Sequence, residues 1–100
     1  MKFMVTWRLH QDKRMEAWKK FCSMTPQERA DVGQGVKLIG RWHNSAEGTG
    51  VGIMEAADTA SLYRYLAQWA PVMDLDVAPV LDDEEAAALG KQVLAKLGAG

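Results

Sequence analysis

Residues 2–10, KFMVTWRLH, put Phe3, Val5, Trp7 and Leu9 on one side of an extended chain and Met4, Thr6, Arg8 and His10 on the other. That period of two, built from aromatic and β-branched residues, predicts a strand. The spacing then turns helical: Asp12 is placed to cap a helix in which Met15, Trp18, Phe21 and Cys22 share a stripe. TPQE at 25–28 combines a capping threonine, a proline in the first turn and a glutamate three residues on. This is a capping box that starts a second short helical piece, ended by Gly33 and Gly35.

Two further strands follow, VKLIGRWH at 36–43 and TGVGIMEA at 49–56, joined by the hairpin-length NSAEG. Asp58 caps a helix carrying Leu62, Tyr65, Leu66 and Trp69 on one stripe, stopped by Pro71. DLDVAPVL at 74–81 reads as a fourth strand, with Pro79 favouring an edge position or a strand end. The acids at 82–85 and the late lysines Lys91 and Lys96 match the dipole of a closing helix with a Leu89, Val93, Leu94, Leu97 stripe. The order β-α-β-β-α-β plus a terminal helix predicts an α+β, ferredoxin-like domain over residues 1–100. Two crossover helices cover only one face of such a sheet, yet Met4, Leu38 and Val80 lie opposite other apolar residues. A bare apolar face predicts a homodimer with two sheets stacked face to face. The stripe of the closing helix suits a cover for the barrel mouth, a brace across the dimer or a swap onto the partner.

Composition excludes several function classes. A net charge of −1, spread along the chain, provides no basic face for phosphates, so nucleic acid is not an expected partner. The longest apolar runs fall far short of the roughly 20 residues a bilayer requires, so no membrane partner is expected, and the opening reads as a strand rather than a signal peptide. The lone Cys22 fits a reducing, cytoplasmic setting, and its place on the helical stripe predicts a buried, inert thiol.

MKFMVTW at the start, GRWH in the second strand, GTGVGIMEA in the third and DLDVAPVLDDEEA near the end resemble a bacterial domain-of-unknown-function family of the dimeric α/β-barrel superfamily. The resemblance implies a ferredoxin-like protomer whose sheet closes a barrel with its twin. It also implies a cavity between sheet and helices, which in the wider superfamily hosts cofactor-free monooxygenases, lactone isomerases, haem-degrading enzymes and other small-molecule chemistry. It carries over no catalytic residues.

The stretch GRWHNSAEGTGVG at 40–52 holds the candidate site. Pairing His43 with Thr49, Arg41 with Val51 and Lys37 with Glu55 would set Trp42, Gly40, Gly50 and Gly52 together on the other face; a one-residue slip exchanges the faces. The three glycines then leave a bare patch that either admits a ligand beside Trp42 or is filled by it. His43 is the group here that exchanges protons near neutrality, and the planar fork of Arg41 suits a carboxylate or enolate oxygen. With Trp7, Trp42 and Trp69 as apolar walls, the expected site takes a small, acidic or phenolic aromatic or polyketide-like molecule. The chemistry expected is cofactor-independent proton transfer or oxygenation, with no cofactor and no metal.

The competing reading is a non-catalytic dimeric binding or stress-related module, with His43 bonded to its turn and Arg41 paired with Glu55. His10, His43 and Glu47 at one sheet edge are chemically able to hold zinc or iron, but no HxH or HxxxH spacing supports it. The acids at 82–85 belong to a helix start. GTGVG lies within a strand and is a poor phosphate loop, and Tyr63 belongs at a solvent rim.

Overall fold

The computed structural model describes residues 1–98; the last two residues of the domain read over 1–100 lie outside the described residues. Four strands, β1 (Lys2–Leu9), β2 (Val36–Asn44), β3 (Thr49–Ala56) and β4 (Met73–Val80), form one sheet in the order β2-β3-β1-β4. Every neighbouring pair is antiparallel. Helices α1 (Arg14–Ser23), α2 (Pro26–Ala30) and α3 (Thr59–Leu66) occupy the crossovers, and α4 (Asp83–Lys96) follows β4. This is an α+β, ferredoxin-like fold with a C-terminal helix.

The caps at 25, 58 and 82 form as read: Thr25 and Asp82 close capping boxes with Glu28 and Glu85, and Asp58 accepts from the Ser61 backbone N–H. Asp12 does not cap a helix. It lies inside a 3-10 turn, Gln11–Lys13, and α1 begins at Arg14 with no side-chain cap. The second helical piece ends at Ala30, before the two glycines, which serve the following loop with positive φ.

Packing is uneven. Phe3, Val5, Met54 and Ala56 of the sheet meet Leu62 and Leu66 of α3 and Val32 of the loop between α2 and β2 in one buried core. Burying side chains of this kind contributes about 1.5–3 kcal/mol each relative to exposure. Helix α1 is different: Ala17 is its only buried residue, and Met15 and Trp18 are exposed. Cys22 is exposed as well, so the expectation of a buried thiol is corrected. The reason is that α1 stands off the sheet and leaves a hollow beneath it.

The opposite sheet face carries no crossover helix. Met4, Ile39 and Trp42 are 37%, 48% and 59% exposed there. Helix α4 has no buried residue, and Leu89, Val93, Leu94 and Leu97 face outward from it. Lys2 ties the start of α4 to the sheet, with its ammonium 3.4 Å from Glu55, 3.2 Å from Asp82 and 3.3 Å from Glu85. No helix among the described residues is long and apolar enough to cross a membrane.

Candidate functional site

The β2–β3 ladder departs from the assumed register at one point. Lys37 opposes Glu55 and Leu38 opposes Met54 as expected, but the pairing then shifts, so that Gly40 opposes Ile53, Arg41 opposes Gly52 and His43 opposes Gly50. Ile39 is the extra residue of a β-bulge. A bulge sets two consecutive residues against one partner and so exchanges inner and outer positions downstream of it. The correction redistributes the whole candidate site. Arg41 and His43 join Gly50 and Gly52 on the helix-covered face, while Gly40 and Trp42 lie on the bare one.

Trp42 is therefore not a wall of any hollow under the helices. Its ring lies over Gly40, where an added Cβ would stand 2.9 Å from Cζ3. Nor is the glycine patch bare on the inner face. Trp7 lies directly opposite Gly50 in β1, and its indole covers that glycine so closely that a Cβ would stand 2.5 Å from Cε2. The missing side chain lets Trp7 cross the third strand and meet His43 edge-on, with ring centroids 5.6 Å apart and planes at 68°. Phe21 of α1 approaches the same imidazole from above at 4.9 Å.

Beneath α1 these groups bound a cavity of about 380 Å³, open on one side. The sheet supplies Val5, Trp7 and Leu9 and the polar end Arg41 and His43. Helix α1 supplies Ala17, Trp18, Phe21 and Cys22, and α3 with its following turn supplies Tyr65, Leu66 and Trp69. Hollows of this size, apolar with a few placed polar groups, are the usual form of small-molecule sites. Of the expected wall residues, Trp7 and Trp69 line it; Trp42, Gly40, Gly50 and Gly52 do not.

Arg41 donates from Nη1 to the Arg29 carbonyl oxygen at 3.1 Å and from Nη2 to the Tyr65 hydroxyl oxygen at 3.2 Å. Glu55, its expected ion-pair partner, instead lies 3.4 Å from Lys2. The guanidiniums of Arg29 and Arg41 stand 5.5 and 5.8 Å from the same Phe21 ring. His43 makes no side-chain hydrogen bond among the described residues, so it is not the turn-bonded histidine of the competing reading. That turn is closed without it: the Asn44 carbonyl accepts from Glu47 and Gly48, and Arg14 of α1 donates to the Glu47 carbonyl. Gly48 is required there twice over, by a φ of +70° and by the Arg14 guanidinium, whose Nε would stand 2.6 Å from a Cβ. The desolvation imposed on His43 by its packing, and secondarily the charge of Arg41, hold it below the ordinary imidazole value. It is consequently neutral near pH 7 and able to accept a proton.

His10 does not join His43; its Nε2 lies 3.0 Å from the Asp74 carboxylate on β4. Among the described residues no three metal-ligating side chains gather at one place. Sequence reasoning missed Trp18, Phe21, Arg29 and Tyr65 as site residues. Phe21 and Tyr65 were visible only as members of helical stripes, and nothing local marks Arg29.

Among solved structures the chain is similar to Rv0793 from Mycobacterium tuberculosis, with 13% identity, a TM-score of 0.40, and coverage of 82% of this chain and 96% of that one. Comparison with curated proteins gives no match. A family model described as a domain of unknown function matches residues 1–94, and the chain therefore belongs to the DUF3303 family.

Proposed function

We propose that the protein is a small-molecule-binding protein of the dimeric α/β-barrel kind, acting as a homodimer in a bacterial cytoplasm with one ligand cavity per protomer. The observation that carries this reading is the hollow of about 380 Å³ under α1, with Arg41 and His43 at its polar end. The exposed Met4, Ile39 and Trp42 on the bare sheet face support the twin subunit, as does the uncovered stripe of α4. The ligand is a small aromatic or polyketide-like molecule.

As an enzyme, the protein performs cofactor-independent chemistry. Arg41 holds an oxygen of the substrate, and neutral His43 takes a proton from a C–H or O–H acid whose conjugate oxyanion Arg41 stabilises. For oxygenation, molecular oxygen is the co-substrate and oxidant: it forms a C–O bond at the carbon that bears the delocalised negative charge, and the peroxide anion so formed takes back the proton from His43 to leave a hydroperoxide. A second reading, non-catalytic binding, is favoured by one observation: no carboxylate among the described residues orients the His43 ring, as an acid does in many general-base sites. A thermal-shift screen with small aromatics, followed by turnover assays on the hits, separates the two. Turnover lost in His43→Ala with binding retained supports the enzyme. Binding with no turnover in the parent protein supports the module, and no melting shift with any compound overturns the cavity reading.

A further inference from the structure

We infer that the cavity selects an amphipathic monocarboxylate, an arene or comparable apolar body bearing one carboxylate that docks on Arg41, flanked by Arg29 and the Tyr65 hydroxyl. The inference rests on the small-molecule reading above and names the chemical class of the ligand.

Charge is the first ground. Arg29 and Arg41 both line the hollow, and no aspartate or glutamate does. None of the ion pairs among the described residues includes an arginine. Glu28 and Asp31, the acids beside Arg29 in the chain, cap local backbone N–H groups of Thr25 and Gly33 and form no ion pair with either arginine among the described residues. A third cation, Lys20, sits 4.9 Å over the Trp69 ring on the same side of the molecule. Two guanidiniums facing one apolar hollow without a counter-charge among the described residues is an arrangement that an anion relieves, because a partly desolvated cation is costly until it is paired.

Donor geometry is the second ground. Arg41 uses one N–H from each Nη on protein oxygens, and neither acceptor is an anion. Its remaining N–H groups have no acceptor among the described residues, and a guanidinium's coplanar donors match the two oxygens of a carboxylate. Tyr65 is 9% exposed, and its hydroxyl accepts from Arg41 while its own proton has no acceptor among the described residues. That proton is a donor next to the guanidinium, placed to complete the set around an anionic oxygen. The third ground is the walls. Trp7, Phe21, Leu66 and Trp69 offer aromatic and aliphatic surface without further charge, which suits the body of an arene and not a sugar or a polyol.

The test is calorimetric titration near neutral pH with three ligands sharing one body: 2-naphthoate, the neutral 2-naphthamide and the cationic 2-naphthylmethylammonium. The expected order is naphthoate first, by about tenfold or more over the amide, since charge-assisted hydrogen bonds are the stronger kind. Arg41→Gln should remove most of that preference and Arg29→Gln part of it, each weakening the naphthoate several-fold more than the amide. Retained amide binding also shows that each variant is folded. Tyr65→Phe should weaken naphthoate several-fold and the amide by less. Ligand should slow maleimide labelling of the exposed Cys22 at the cavity rim, which locates the binding. An amide that binds as well as the naphthoate, or a preference that survives in both arginine variants, overturns the inference while leaving the small-molecule reading standing. Failure of all three ligands, with Cys22 labelling unaltered, overturns both.

Discussion

Gly50→Ala is a small change that the site should resist. Gly50 does not have a positive φ, so alanine is conformationally acceptable there. Restricting the unfolded chain should by itself stabilise the protein by about 0.4–1 kcal/mol. Against this, the new methyl would stand 2.5 Å from Trp7 Cε2 and 2.8 Å from the Trp42 carbonyl oxygen. The first neighbour is a rigid indole, the second is backbone of the paired strand, and neither retreats cheaply. Overpacking of this order costs about 1–3 kcal/mol. The net expectation is a loss of about 1–2 kcal/mol, a substantial share of the roughly 5–15 kcal/mol that holds a typical domain folded.

Two readouts test the cause. Urea denaturation followed by circular dichroism gives the loss for Gly50→Ala alone and in a Trp7→Leu background, where the indole clash is gone and only the carbonyl contact remains. Non-additivity of about 1 kcal/mol is expected for groups in direct contact. The His43 ring protons should also shift in NMR spectra, because Trp7 cannot keep its edge-on contact once displaced. A Gly50→Ala protein as stable as the parent, or two strictly additive substitutions, would refute the account of Trp7 crossing the sheet over a glycine.

Three further outcomes are expected. NMR titration should place His43 below the usual imidazole midpoint of about 6.5, and Arg41→Gln should raise it by removing the like charge. Because the folded value is the lower one, the unfolded chain binds more protons as pH falls through about 6.5, so stability declines from there down to the folded midpoint; His43→Gln should flatten that decline in denaturation series, and an unchanged slope would count against it. Deleting Ile39, the bulged residue, should leave a regular ladder with Arg41 still against Gly52 and His43 against Gly50; ligand binding should survive the deletion, and its loss would show that the bulge does more than set the face. Sedimentation should find a dimer that Trp42→Asp dissociates, whereas a stable monomer at micromolar concentration with the bare face wetted would remove the twin subunit from the proposal.

Much of the architecture was legible because local chemistry and long-range packing agree. The alternation of 2–10 is kept by pairing on both sides of β1, and the capping boxes at 25 and 82 act within a few residues of themselves. The candidate site was legible only in part. Arg41, His43, Trp7 and Trp69 were singled out from residue type, and the fold brings them to one hollow. Trp42 and the three glycines were placed by a register that one extra residue undoes. Phe21 and Tyr65 carry the apolar spacing of core residues, and only the stand-off of α1 makes them walls.

From the linear chain, then, come the elements, their order and the residue types able to do chemistry, because periodicity, caps and turns are short-range properties. The three-dimensional packing decided which side of the sheet Arg41 and His43 occupy, that Trp7 rather than Trp42 covers a glycine beside them, and that an arginine from α2 shares their hollow. Those outcomes depend on a bulge and on a gap beneath a helix. Both are settled by how distant segments fit together, and no nearest-neighbour pattern in the sequence encodes them.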